Sequence, residues 1–131
     1  MVRILLVEDN PMMRAQLRAA LERQKDWKVV AEAEDGRGAL KAWSDFSPSV
    51  TVMDFAMPRM SGLEAGKSLS NQHPESPVLM VTIDPTPQLE EEVKKAGIKG
   101  LVQKANVQAL FEAIETLLRG GTYFHESFAT A

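Results

Sequence analysis

The 131-residue chain predicts an α/β domain, a doubly wound parallel sheet of five strands with five helices on its two faces. Three observations carry that expectation. Short β-branched and aliphatic runs alternate with longer stretches of helical period. Pro, Gly and capping residues fall where those stretches should start and stop. The length suits one domain, with little left for a second.

The elements follow in order. The first apolar run is Val2–Val7. Asn10 and Pro11 then read as the N-cap and first turn of a helix whose apolar face is Met13, Leu17, Ala20 and Leu21. Trp27–Ala33 is the second run, followed by Leu40, Trp43 and Phe46 spaced three apart. Residues 50–53 form the third run. The helical stretch after Ser61 is weaker, since Gly66 interrupts it and Leu63 and Leu69 carry most of its apolar face. Residues 78–83 are the fourth run, and Thr86-Pro87 open a helix bearing Leu89, Val93 and Ala96, stopped at Gly97. Residues 101–102 form the fifth run. Val107, Leu110, Phe111, Ile114, Leu117 and Leu118 then make the cleanest apolar stripe, ending before Gly120.

Composition narrows the function. There are 15 Lys+Arg against 18 Asp+Glu, a net charge of −3, which argues against this segment gripping nucleic acid or an anionic membrane by itself. With no cysteine, disulfide scaffolds, thiolate metal sites and cysteine nucleophiles are excluded. No apolar run approaches a membrane span, and a cytoplasmic location is expected. The turn Glu8-Asp9-Asn10-Pro11 lacks the glycines of a nucleotide-cradling loop, and no G-x-S-x-G elbow exists. His73 and His125 read as surface imidazoles.

In an open parallel sheet, ligands bind beyond the carboxyl ends of the strands. Residues at that rim are therefore the candidates. The first run ends in Glu8-Asp9, the third in Asp54, the fourth carries Thr82 and the fifth reaches Lys104. Singly, each carboxylate reads as a turn former or cap, Thr82 as a strand residue and Lys104 as a surface charge. Together they read differently. Three crowded carboxylates repel one another unless a cation joins them, and one lysine cannot neutralise three. Mg²⁺ suits such a set of oxygens. A carboxylate beside it can accept a phosphoryl group, with a lysine and a hydroxyl binding the phosphoryl oxygens.

These residues resemble a known family. Val7-Glu8-Asp9-Asn10, Val52-Met53-Asp54 followed by Met57-Pro58-Arg59-Met60-Ser61-Gly62, Val81-Thr82, and Gly97 and Gly100 leading to Lys104 are similar to the motifs of receiver domains of two-component response regulators. The resemblance covers residues 2 to about 119. It implies the flavodoxin-like (CheY-like) fold with strand order 2-1-3-4-5. It implies Asp54 as phosphoacceptor, and Mg²⁺ held by Asp9, Asp54 and the Ala56 backbone carbonyl with support from Glu8. Thr82 and Lys104 would bind the phosphoryl group, and the donor would be a phosphohistidine on a sensor histidine kinase. The expected role is a switch, not an enzyme.

A finer resemblance is to the NarL/FixJ (LuxR-type) subfamily, which joins a receiver to a helix-turn-helix DNA-binding domain. Asp35-Gly36-x-Gly38-Ala39-Leu40, Lys104-Ala105-Asn106 and Gly120-Gly121-Thr122-Tyr123-Phe124 carry it. Residues 1–119 are accordingly expected to be the receiver, and 120–131 the start of a linker to a missing output domain. The tail aromatics favour a fragment over a natural single-domain receiver. DNA would be bound only through that missing domain, with a homodimer forming on phosphorylation and no membrane partner. Tyr123, Phe124 and Phe128 are expected to find apolar cover.

Three positions depart from the family pattern. Leu101 stands where a switch Tyr or Phe is usual, Ile83 follows the switch Thr where a small residue is usual, and Ala56 offers no side chain to an attacking water. A pseudo-receiver, binding partners without phosphorylation, is the alternative reading. A Mg²⁺-dependent phosphatase using Asp54 lacks a general acid, since Ala56 stands two residues on. Activation is expected to move residues 83–88 and the helix after them, with that helix, the fifth strand and residues 107–119 as output face.

Overall fold

The computed structural model describes residues 1–124; His125 and Phe128 lie outside them. The chain runs β1 (Val2–Val7), α1 (Pro11–Glu22), β2 (Trp27–Ala33), α2 (Gly36–Phe46), β3 (Val50–Asp54), α3 (Gly62–Gln72), β4 (Val78–Thr82), α4 (Pro87–Lys95), β5 (Gly100–Gln103) and α5 (Val107–Leu118). The strands form one parallel sheet in the order β2-β1-β3-β4-β5, as the resemblance implies.

The two-residue period of the strands divides the core between the faces. Ile4, Leu6, Val50, Val52, Leu79, Val81 and Val102 point to one side, where α1 brings Leu17 and Leu21 and α5 brings Leu110, Ala113, Ile114 and Leu117. Leu5, Val7, Met53, Val78, Met80 and Leu101 point to the other, under Trp43 of α2, Leu69 of α3 and Val93 of α4. Strands covered on both faces read as near-continuous apolar runs, which is why β3 and β4 show no alternation in sequence.

The helix starts form as the caps dictate. Asn10, Asp35, Ser61, Thr86 and Asn106 each accept from the backbone N–H three residues on. Pro11 and Pro87 take the first helical positions. Gly97 and Gly120 have φ of 84° and 91°, the left-handed turn that ends α4 and α5.

Four details correct the sequence reading. Leu118 is exposed, because it lies about 100° around the helix from buried Leu117. Phe46, the last residue of α2, is also exposed. Gly66 does not merely weaken α3: a Cβ there would come within 2.7 Å of Ile98 Cδ1, so the glycine lets helix and core approach closely. His73 is no plain surface imidazole. It caps the C-terminus of α3 and stacks on Trp43, ring centroids 3.3 Å apart.

Candidate functional site

The strand order reverses between β1 and β3, so a crevice opens where both strands end. Glu8 and Asp9 follow β1 into that crevice and Asp54 ends β3 beside them. Carboxylate oxygens of Glu8, Asp9 and Asp54 lie within 4.8 Å of one another. Glu8 and Asp54 are buried, while Asp9 is exposed at the mouth.

Lys104 reaches the same point from the end of β5. Its ammonium lies 2.6 Å from Glu8 Oε1 and 3.0 Å from Asp54 Oδ1. Burial alone would lower the lysine pKa, but hydrogen bonds to Glu8 and Asp54 outweigh it and raise it. The lysine therefore stays charged. Asp54 behaves oppositely: burial pushes its pKa up to about 6, the nearby Glu8 charge adds to the push, and Lys104 and the Ala56 N–H oppose it.

Backbone groups fix both carboxylates. The Asn10 N–H donates to Glu8 Oε2 at 3.2 Å, and the Ala56 N–H to Asp54 Oδ1 at 3.3 Å. Asp54 Oδ2 is buried and accepts no hydrogen bond from any described residue. An ionisable oxygen without a partner is costly to bury. Two buried carboxylates and a third at the mouth share one lysine, so charge is left uncompensated. An all-oxygen set with a free buried oxygen fits a hard divalent cation such as Mg²⁺.

Thr82 ends β4 at the same rim, paired in register with Gln103, and its carbonyl accepts the Lys104 N–H at 2.9 Å. Thr82 is buried, one residue past Val81, which pairs in register with Asp54. Leu101 lies one layer below, only 2% exposed, in the core under α2, α3 and α4. Ala56 is exposed on the loop after β3. Ile83 is 74% exposed and lines a groove of about 350 Å³ with Met13, Leu17, Ala105, Val107 and Lys104.

Several residues that shape the site carried no clear signal in sequence. Gly62 stood in the sequence as part of a motif, and its reason is a close approach. A Cβ there would stand 2.0 Å from the Asp54 carbonyl oxygen, and the Gly62 N–H bonds the Phe55 carbonyl. Arg14 donates to the Glu8 carbonyl at 2.7 Å and to Glu32 at 2.8 Å, bracing the β1 end against β2. Arg59, at φ 64°, pairs with Asp35, and Met60 fills the space a Cβ on Gly36 would need. The loop after Asp54 is thereby pinned to the start of α2. Hydrogen bonds from the Gly38 N–H and from Arg59 hold the Asp35 carboxyl below its usual range.

The family profile of the response regulator receiver domain matches residues 4–115. The transcriptional regulatory protein DegU of Brevibacillus brevis is 30% identical over 125 residues, 95% of this chain and 53% of DegU. The response regulator UvrY of Escherichia coli (strain K12) is 33% identical over 130 residues, 98% of this chain and 60% of UvrY. A crystal structure of a two-component response regulator of the LuxR family from Aurantimonas sp. SI85-9A1 superposes with a TM-score of 0.93. It is 30% identical, with 99% of this chain and 94% of that one covered. The chain spans little more than half the length of these curated relatives.

Proposed function

This chain belongs to the response regulator receiver domain family, and from that premise we propose that it is a phosphorylation switch whose phosphoacceptor is Asp54. The observation that supports this best is Asp54 itself. One oxygen is anchored by Lys104 and the Ala56 N–H, the other is buried without a partner, and both sit in an under-neutralised acidic crevice.

In the proposed reaction an Asp54 carboxylate oxygen attacks the phosphorus of a phosphohistidine on a sensor histidine kinase. The new O–P bond forms an acyl phosphate, the P–N bond breaks, and its electron pair returns to the imidazole. Mg²⁺, when bound, would offset charge on the phosphoryl oxygens. Asp9, Asp54 and the Ala56 carbonyl would hold it, with Glu8 in support. Lys104 would pair with a phosphoryl oxygen, exchanging one of its two carboxylate contacts for it. The Thr82 hydroxyl would bond another and draw the start of the β4–α4 loop inward.

Residues 120–131 would then lead to an output domain in a longer protein. Relatives named as transcriptional regulators and LuxR-family response regulators support a role in transcription; the output domain would be of helix-turn-helix type, and a homodimer would form on phosphorylation. Acetyl phosphate tests the chemistry without a kinase. The protein should gain the mass of one phosphoryl group with Mg²⁺ and none with EDTA. No gain in either would leave the pseudo-receiver, a binding module independent of phosphate.

A further inference from the structure

Residues 120–124 stay against the domain after α5 ends. Gly120 turns the chain back at φ 91°, and the Gly121 N–H bonds the Thr116 carbonyl at 3.0 Å. The chain then runs parallel to β5. The Tyr123 N–H donates to the Lys99 carbonyl and the Leu101 N–H to the Tyr123 carbonyl, both at 2.9 Å. A strand at the rim of a sheet would otherwise show these groups to water. The fit is close: a Cβ on Gly100 would come within 2.9 Å of the Tyr123 carbonyl oxygen.

The two rings divide between the faces. Tyr123 packs with the cluster under α1 and α5, and Phe124 with the cluster under α2, α3 and α4. The Lys94 ammonium of α4 stands over the Phe124 ring, 5.0 Å from its centroid. The segment thus holds both elements that lead away from the site. β5 runs three residues from Leu101 to Lys104, and α4 begins five residues after Thr82.

We propose that residues 121–124 are a strap across the β5 edge whose grip opposes the phosphorylated state, so that its release tells whatever follows residue 124 that Asp54 is modified. This rests on the phosphorylation-switch reading. Inward movement at Thr82 pulls on the loop that opens α4, and α4 carries Lys94 away from Phe124. Because coupling is reciprocal, what loosens the strap must also favour the modified state.

The test uses the full chain with Mg²⁺ and beryllofluoride, a phosphoryl mimic whose binding is read independently by fluorine NMR. Amide exchange at Tyr123 and Leu101 should quicken about tenfold when the mimic binds. Phe124→Ala should tighten mimic binding about threefold to tenfold. Lys94→Gln, which leaves the apolar packing in place, should shift it in the same direction by less. Binding of the mimic with both amides unchanged and neither variant tighter overturns the strap. No binding of the mimic at all overturns the phosphorylation switch, and the strap with it.

Discussion

Lys104 Nζ lies 3.0 Å from Asp54 Oδ1, in a pair whose side chains are 10% and 2% exposed. The same ammonium also serves Glu8. Removing the cation would leave two buried carboxylates facing each other. Lys104→Met should therefore lower stability at neutral pH by about 2–4 kcal/mol. Chemical denaturation checks this. The deficit should shrink in mild acid, where Asp54 takes up a proton.

The raised pKa of Asp54 gives the metal-free protein a defined pH dependence. Between the ordinary value of 3.8 and about 6, folded Asp54 holds a proton that the unfolded chain has released. Stability contributed by that proton is present at low pH and lost as pH rises through about 6. Asp54→Asn removes the cost of the buried charge. In EDTA it should be more stable than the parent above about pH 7, by on the order of 1 kcal/mol, with the gap closing in acid. Thermal unfolding across pH measures it; an equal gap at all pH values would remove burial of the charge as the cause.

Metal should act through the same group. Mg²⁺ binding to the folded chain raises the unfolding temperature by mass action. Asp9 is exposed, so Asp9→Ala should cost little stability by itself, yet it should abolish the Mg²⁺-dependent rise. Differential scanning calorimetry with and without Mg²⁺ separates the two effects. An undiminished rise in the variant would take Asp9 out of the metal set.

Gly62→Ala should destabilise the fold and disturb the site together. The new methyl would meet the Asp54 carbonyl oxygen, a backbone atom that cannot rotate aside, so β3 or α3 must move. A loss of about 2–3 kcal/mol is expected, with weaker Mg²⁺ binding. Gly66→Ala is the control, because one turn further along α3 its methyl meets side-chain atoms of Ile98 and Val78 and no backbone of β3. It should leave Mg²⁺ affinity unchanged.

Much of this was legible in the chain because it is local. Caps such as Asn10 and Thr86 act three residues away, and strands covered on both faces announce themselves as apolar runs. Glu8, Asp9, Asp54 and Lys104 were legible because each ends a strand or lies within two residues of its end, and parallel strands deliver their ends to one rim. What stayed hidden was contact between distant residues. Arg59 meets Asp35, Met60 fills the space at Gly36, and His73 stacks on Trp43 only once α2 and α3 lie side by side. The tail followed the same rule. Its aromatics suggested a need for cover, and Tyr123 and Phe124 have it. Pairing with β5 depends on Lys99 and Leu101, more than twenty residues earlier, and no local pattern encodes that.

In the proposed switch Asp54, and no other residue, takes the phosphoryl group. The most direct measurement treats the chain and its Asp54→Asn variant with acetyl phosphate and Mg²⁺, then locates the added mass by peptide mass spectrometry. One phosphoryl group is expected on the peptide carrying Asp54 in the parent and none on the variant. Equal phosphorylation of the variant, or a phosphoryl group found on another peptide of the parent, would contradict it.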